Sequence, residues 1–187
     1  MKKLLLGAAL VLIGLLSGCG QFKDISINEG LLNEYLLKKV HYQKEIGISG
    51  IANFDITLGN LSSQIGRQDP EKIVLTSQAK VKIATIFGST QADMALTIRA
   101  KPVFDAEQSA IFVKGLEIVD YQTTPEKAAI PVKALIPYLN TSLTEFFDTH
   151  PVYVLNPEKS KSEAAAVKFA KGLEIKPGKL VIGLTDK

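Results

Sequence analysis

The sequence predicts an α+β domain. A long, strongly curved antiparallel sheet wraps a long helix in the C-terminal half, with an N-terminal helix and a second C-terminal helix beside it. Three observations carry this. Ile73, Leu75, Ser77, Ala79, Val81 and Ile83 share one parity, with Lys72, Thr76, Gln78, Lys80 and Lys82 on the other. Ala92, Met94, Leu96, Ile98, Ala100 and Phe104 do the same against Gln91, Asp93, Thr97, Arg99 and Lys101. Period-two alternation of this kind marks strands with one buried and one wet face, as antiparallel sheets have. Third, Val132, Leu135, Ile136, Leu139, Leu143, Phe146 and Phe147 form an apolar stripe at helical spacing.

The elements follow in order. Ser26-Ile27-Asn28-Glu29 reads as a capping box, and Ile27, Leu31, Leu32, Tyr35 and Leu36 then keep helical spacing. Lys38 and Lys39 suit the negative end of the helix dipole, so a helix is expected over 27–40. Phe54, Ile56 and Leu58 mark an early strand. Gly88-Ser89 is the expected turn between the two long strands, and Asp105 to Ser109 the next loop. Ile111 and Val113 open a later strand whose parity switches at Leu116 and Ile118, which a bulge near Gly115 reconciles. A strand of 13 residues extends roughly 43 Å, more than twice the usual length, so the sheet must coil. Thr124-Pro125-Glu126 reads as a helix start with Pro125 at the first helical position. Pro137 either kinks the helix or marks its true start. His150-Pro151 ends it. Val152 to Leu155 is a short strand, Ser160 to Lys171 an Ala-rich helix stopped by Gly172, and Leu173 to Ile175 with Leu180 to Leu184 a last hairpin around Pro177-Gly178.

The chain has 187 residues, about one domain, with 22 basic and 19 acidic residues and a net charge of +3. No basic block exists to displace counterions, so nucleic acid is not an expected partner. A hydrophobic fraction of 46% excludes a disordered chain. One cysteine and no tryptophan are present, so neither an intramolecular disulfide nor a thiolate metal cluster can form.

The N-terminus carries its own signal. Lys2 and Lys3 precede an uncharged apolar run from Leu4 to Leu16, the length of a signal-peptide core and too short for a bilayer of roughly 30 Å. Leu16-Ser17-Gly18-Cys19 then resembles the lipobox of bacterial lipoproteins: a branched apolar residue, two small ones, and cysteine. The resemblance implies cleavage after Gly18, a diacylglycerol on the Cys19 thiol and acylation of the new amino group, which exceeds the two-signal requirement for stable anchoring. An ordinary signal peptide that happens to contain the cysteine is the alternative. Gly20, where aspartate is the inner-membrane retention signal in Gram-negative lipoproteins, implies sorting to the outer membrane, facing the periplasm. The expected organisation is a signal peptide over 1–18, a lipidated tether over 19–24 and one α+β domain over 25–187. A tether this short holds the domain close to the bilayer.

Beyond the lipobox, Asn60-Leu61-Ser62-Ser63-Gln64-Ile65-Gly66-Arg67, Pro102-Val103-Phe104-Asp105, Ala110-Ile111-Phe112-Val113-Lys114, Leu135-Ile136-Pro137-Tyr138-Leu139-Asn140, Pro151-Val152-Tyr153-Val154-Leu155 and Gly172-Leu173-Glu174-Ile175-Lys176-Pro177-Gly178 resemble, in order and over nearly the whole chain, the YceB-like family of small bacterial lipoproteins. That family is thought to be distantly similar to the tubular lipid-binding proteins, in which a curved sheet wraps a long helix and leaves an apolar groove. The resemblance therefore implies a lipid or other apolar ligand, though fold alone does not establish function.

No catalytic residue is predicted. The two histidines, His41 and His150, sit in no recognised motif, and nucleophile-elbow, zincin, P-loop and dinucleotide signatures are absent. Asp93, Asp105, Glu107, Glu117 and Asp120 read as a solvated face. Lys80-Val81-Lys82 reads either as a headgroup strip or, preferred, as edge lysines that discourage strand pairing. No cofactor and no metal are expected, and an envelope protein partner is not identified. The candidate apolar groove lies between Leu135, Leu139, Leu143, Phe146 and Phe147 of the helix and Val81, Ile83, Leu96 and Ile98 of the sheet. Three readings stand: a ligand-accepting groove; plain core in a structural, partner-binding lipoprotein; and, ranked last, an enzyme.

Overall fold

The protein is described here from a computed structural model covering residues 23–184. Leu16, Ser17, Gly18, Cys19 and Gly20, on which the anchoring and sorting expectations rest, lie outside the described residues.

Along the chain run β1 (Asp24–Asn28), α1 (Glu29–Lys39), β2 (Gln43–Ile48), β3 (Ala52–Ile65), β4 (Ile73–Thr85), β5 (Gly88–Asp105) and β6 (Ala110–Thr124). A 3-10 turn, Glu126–Ala128, leads into α2 (Ala129–Thr149), followed by β7 (Tyr153–Val154), α3 (Lys161–Phe169), β8 (Gly172–Lys176) and β9 (Lys179–Gly183). Six strands form one antiparallel sheet in the order β2-β3-β4-β5-β6-β7, and three form a small sheet in the order β1-β9-β8.

The large sheet wraps α2. The helix packs on β6 and also touches β2, the far edge strand, and the Tyr42 hydroxyl, just before β2, donates to Ser142 Oγ at 2.9 Å. The sheet is not closed: β2 and β7 are its edges. Bulges supply the curvature. β3 gains a residue between Gly59 and Ser62, where Asn60 has φ 51°. In β6, Lys114 faces Lys101 but Glu117 faces Arg99, and Gly115 has φ 60°. An extra residue in one strand bends and twists it, and at Gly115 it switches which parity points inward, as the sequence predicts.

Four expectations are corrected. Ser26 is not the helix cap: Ile25 and Ile27 alternate inward as β1 and pair with Ile182 and Leu180, and Asn28 caps α1, its Oδ1 accepting from Leu31 N at 2.9 Å. Glu29, freed from the capping box, reaches across to the sheet. The turn between the long strands is Ile86-Phe87 rather than Gly88-Ser89, because Thr85 pairs with Gly88; the Thr85 hydroxyl accepts from Phe87 N and donates to Gly88 O, both at 3.1 Å. Pro125 precedes the 3-10 turn in extended conformation, and α2 runs through Pro137 from Ala129, so Pro137 is not its start. Finally, Ala170 ends α3, and Gly172 opens β8.

The small sheet, α1 and α3 close one end of the molecule. There Glu29 accepts from Ile65 N (2.8 Å) and pairs bidentately with Arg67, both contacts at 2.8 Å, while Gly178 N donates to Ile65 O at 2.8 Å. Gly66 has φ 57°, and a Cβ there would meet Ile175 Cγ2 at 3.0 Å and Lys176 O at 3.2 Å, so a side chain would be both strained and crowded.

Candidate functional site

The structure brings the predicted groove residues together and packs them. Leu135, Leu139, Leu143 and Phe147 are 0% exposed, as is Ile98, with Val81 and Ile83 at 1% and Leu96 at 2%. All belong to one continuous core. Phe146 is half-buried, edge-on to Tyr42 (ring centroids 5.3 Å) and to Phe147 (5.2 Å), and stacked on His150 at 4.0 Å. In this conformation the seam between helix and sheet is filled with side chains.

Open space lies on the outer face of the same sheet, at the end away from the small sheet. Strand register sets Glu45, Asp55, Lys82 and Gln91 in one row across β2, β3, β4 and β5. The next row towards the hairpin ends is Gly47, Asn53, Ala84 and Ser89. Long polar side chains followed by small ones leave a hollow of about 870 Å³, which Phe54 and Ile83 of the inner face also reach. Asn53 folds over Gly47: a Cβ there would meet Asn53 Oδ1 at 2.9 Å. Asp55 Oδ2 is 3.5 Å from Lys82 Nζ. Its Oδ1 is buried and, among the described residues, has no hydrogen-bond donor. Such an atom favours a ligand that brings an N–H or O–H.

The hollow continues into a second one of about 700 Å³, sharing Gly47, Asn53 and Ala84 and bounded by the tips of the β2–β3 and β4–β5 hairpins. Ile51, Ile86 and Phe87 line it, and the last two are 93% and 94% exposed. A polar end, a small-residue floor and an apolar lip form one trough. Each hollow by itself falls in the range of ligand sites, roughly 300–1,000 Å³.

Of the remaining sequence candidates, Lys82 lines the hollow and the others lie apart from it. Lys80 and Lys82 are on a central strand, so the edge-lysine reading is corrected: Lys82 pairs with Asp55, and Lys80 sits opposite Asp93 and Thr57. His150 caps α2, its backbone N–H donating to Phe146 O at 2.9 Å. Asp105 holds its loop by accepting from Gln108 N and Nε2, and those bonds keep its carboxyl below the usual range. A buried polar cluster absent from the sequence expectations ties α3 down. Glu163, 7% exposed, accepts from the Tyr153 hydroxyl at 3.1 Å and Asn156 N at 2.7 Å. Burial pushes the Tyr153 hydroxyl up, and the hydrogen bond to Tyr153 raises Lys159. Among the described residues no group of three or more histidine, cysteine or acidic side chains is placed to hold a metal, and no helix is long and apolar enough to cross a membrane.

The trough was hidden in sequence because it is made by register across four strands. One signal was readable: 46–54 and 83–92 contain no charged residue.

A family model described as a protein of unknown function (DUF1439) matches residues 27–179. The chain is similar to the "Uncharacterized lipoprotein YceB" of Salmonella typhimurium, 47% identical over 186 residues with 100% of both chains covered. It is 46% identical over 186 residues, with the same coverage, to the protein of that name in Escherichia coli K12. Among solved structures it matches the crystal structure of a lipopolysaccharide binding protein with TM-score 0.37 and 9% identity, over 86% of this chain and 48% of that protein.

Proposed function

The chain belongs to the DUF1439 family and is YceB-like, and from that premise we propose that it is an envelope lipoprotein whose domain binds an amphiphilic or apolar ligand of the lipid class. The relatives are named lipoproteins over their full length, which supports reading Leu16-Ser17-Gly18-Cys19 as a working lipobox. Acylated Cys19 is the anchor, and Gly20 directs the chain to the outer membrane, periplasmic face. The observation that carries ligand binding is the trough. It runs from Glu45, Asp55 and Lys82, through small residues, to Ile51, Ile86 and Phe87, a gradient of polarity that matches an amphiphile.

A ligand seated instead between α2 and the sheet must displace packed side chains. That packing favours the second reading, a partner-binding lipoprotein with a solid core.

A photoreactive side chain tests both in the native envelope. Ala84→p-benzoylphenylalanine places the probe in the floor shared by the two hollows. Irradiation should give an adduct with the mass of a lipid, and the same probe replacing Lys101, an exposed residue outside the trough, should not. Adducts with protein only would sink the ligand reading in favour of the partner-binding one.

A further inference from the structure

Turns between antiparallel strands are normally Asn-Gly, Asp-Gly or similar, because those residues adopt the turn conformation and face water. Here the β4–β5 turn is Ile86-Phe87, and both side chains stand 93–94% exposed. Ile51 of the neighbouring β2–β3 turn is 46% exposed beside them. The two tips lie in the uncharged stretches 46–54 and 83–92, so the nearest charges in sequence are Glu45, Asp55, Lys82 and Asp93, set back along the strands. Elsewhere Leu37, Val103 and Phe169 stand on separate elements, and Ile130 and Tyr138, both on α2, are eight residues apart. An exposed apolar cluster marks an interaction surface.

We propose that the paired hairpin tips, Ile51 with Ile86 and Phe87, are a second membrane contact, seated at the headgroup–acyl boundary of the bilayer to which the chain is tethered. Three side chains cover only a few hundred Å², short of the roughly 800 Å² per partner of a stable protein interface. The residues bordering the tips, Ser49, Asn53 and Thr85, are uncharged. A bilayer demands no shape complementarity, and apolar side chains seated about 5–10 Å deep gain from burial alone. The chain between Cys19 and Lys23 spans at most about 15 Å, so acylation keeps the domain at the bilayer surface. A tip contact then forms at high effective concentration. Lys23 joins the small sheet through Leu184 N, which donates to Lys23 O at 3.0 Å. That sheet packs at Ile65, the opposite end of β3 from Ala52 and the tips. Anchor and tips both engaged therefore lay the long axis of the sheet along the membrane. The inference rests on acylation of Cys19; it shares Ile51, Ile86 and Phe87 with the apolar end of the trough but requires no ligand there.

The chain contains no tryptophan, so Phe87→Trp creates a single reporter at a position where substitution leaves the core untouched. The acylated full-length variant, its lipidation verified by intact mass, is reconstituted in phosphatidylethanolamine–phosphatidylglycerol vesicles. Trp emission should shift to the blue and be quenched by phospholipids brominated on the acyl chain. Bromine near the headgroup end should quench more than bromine at the methyl end. Adding Ile86→Asp should return the emission to that of water-exposed indole. Ile86→Trp repeats the measurement from the neighbouring position. Emission that stays water-like and unquenched by brominated lipid in both reporters overturns the proposal. Lipid quenching without a lipid adduct at position 84 leaves this inference standing and removes the ligand reading; the converse result separates them the other way.

Discussion

Leu139 stands in the middle of the buried stripe of α2, 0% exposed, and its environment decides what the seam between helix and sheet is. As packed, Leu139→Ala leaves a void and should cost about 2–5 kcal/mol of stability. Leu139→Trp overpacks the same space and should cost roughly 1–3 kcal/mol or more. Thermal melts check both. A tryptophan variant that melts like the parent would show that the seam yields to bulk and holds a ligand-sized groove. The proposed anchoring turns on Cys19. Cys19→Ser removes the thiol that accepts diacylglycerol, so the uncleaved precursor should accumulate without labelled fatty acid on gel autoradiography. Label retained by the variant would refute the lipobox. Gly20→Asp should move the protein from the outer to the inner membrane fraction, and an unchanged sucrose-gradient profile would remove the sorting rule from this chain.

At the scale of elements, two side chains fasten helices to strands. Glu29, in the first turn of α1, holds Ile65 N and Arg67, and the hydrogen bond from Arg67 keeps its carboxyl below the ordinary glutamate range despite partial burial. A carboxylate whose folded pKa is depressed contributes stability that is present above its unfolded value, about pH 4.3, and is lost as pH falls through the folded value. Urea titrations from neutral to acid pH should therefore show Glu29→Gln less stable than the parent at pH 7, with the difference shrinking below about pH 4.3. A difference that stays constant with pH would mean the charge plays no part. Glu163 fastens α3. Glu163→Ala strands the Tyr153 hydroxyl and Asn156 N, which should cost about 1–3 kcal/mol. Amide exchange should speed up in α3 and β7 first, and uniform acceleration across the large sheet would contradict so local a role.

For the molecule as a whole, the core draws on every element from Ile25 of β1 to Leu184, which follows β9. A chain from Ile25 to Lys187, made without its leader, should therefore be soluble and melt cooperatively by calorimetry. Persistent insolubility after refolding would make the membrane part of the fold. The parity of β4 and β5, the stripe of α2 and the bulge at Gly115 were all legible in the sequence, because each is a local period repeated over many residues or interrupted at one point. Leu16-Ser17-Gly18-Cys19 reads as a lipobox because its residues are contiguous, but it lies outside the described residues. Two strands were not. β1 is five residues long and meets β9 only at the far end of the chain, and β2, Gln43–Ile48, carries too few apolar residues to show a period. The family motifs around Gln64-Ile65-Gly66-Arg67 and Lys176-Pro177-Gly178 gave no role from sequence. In the fold they meet at the junction of the two sheets. Ser26-Ile27-Asn28-Glu29 satisfied a capping pattern, yet pairing with β9 withdrew Ser26 and the Arg67 guanidinium withdrew Glu29. The sequence by itself thus determined what repeats along the chain: the long strands and the central helix. Only the tertiary structure decided that the seam is packed, that the hollow lies on the outer face, and that Ile51, Ile86 and Phe87 share one end. Those facts depend on register between strands and on which side chains meet across it, and a linear pattern carries neither.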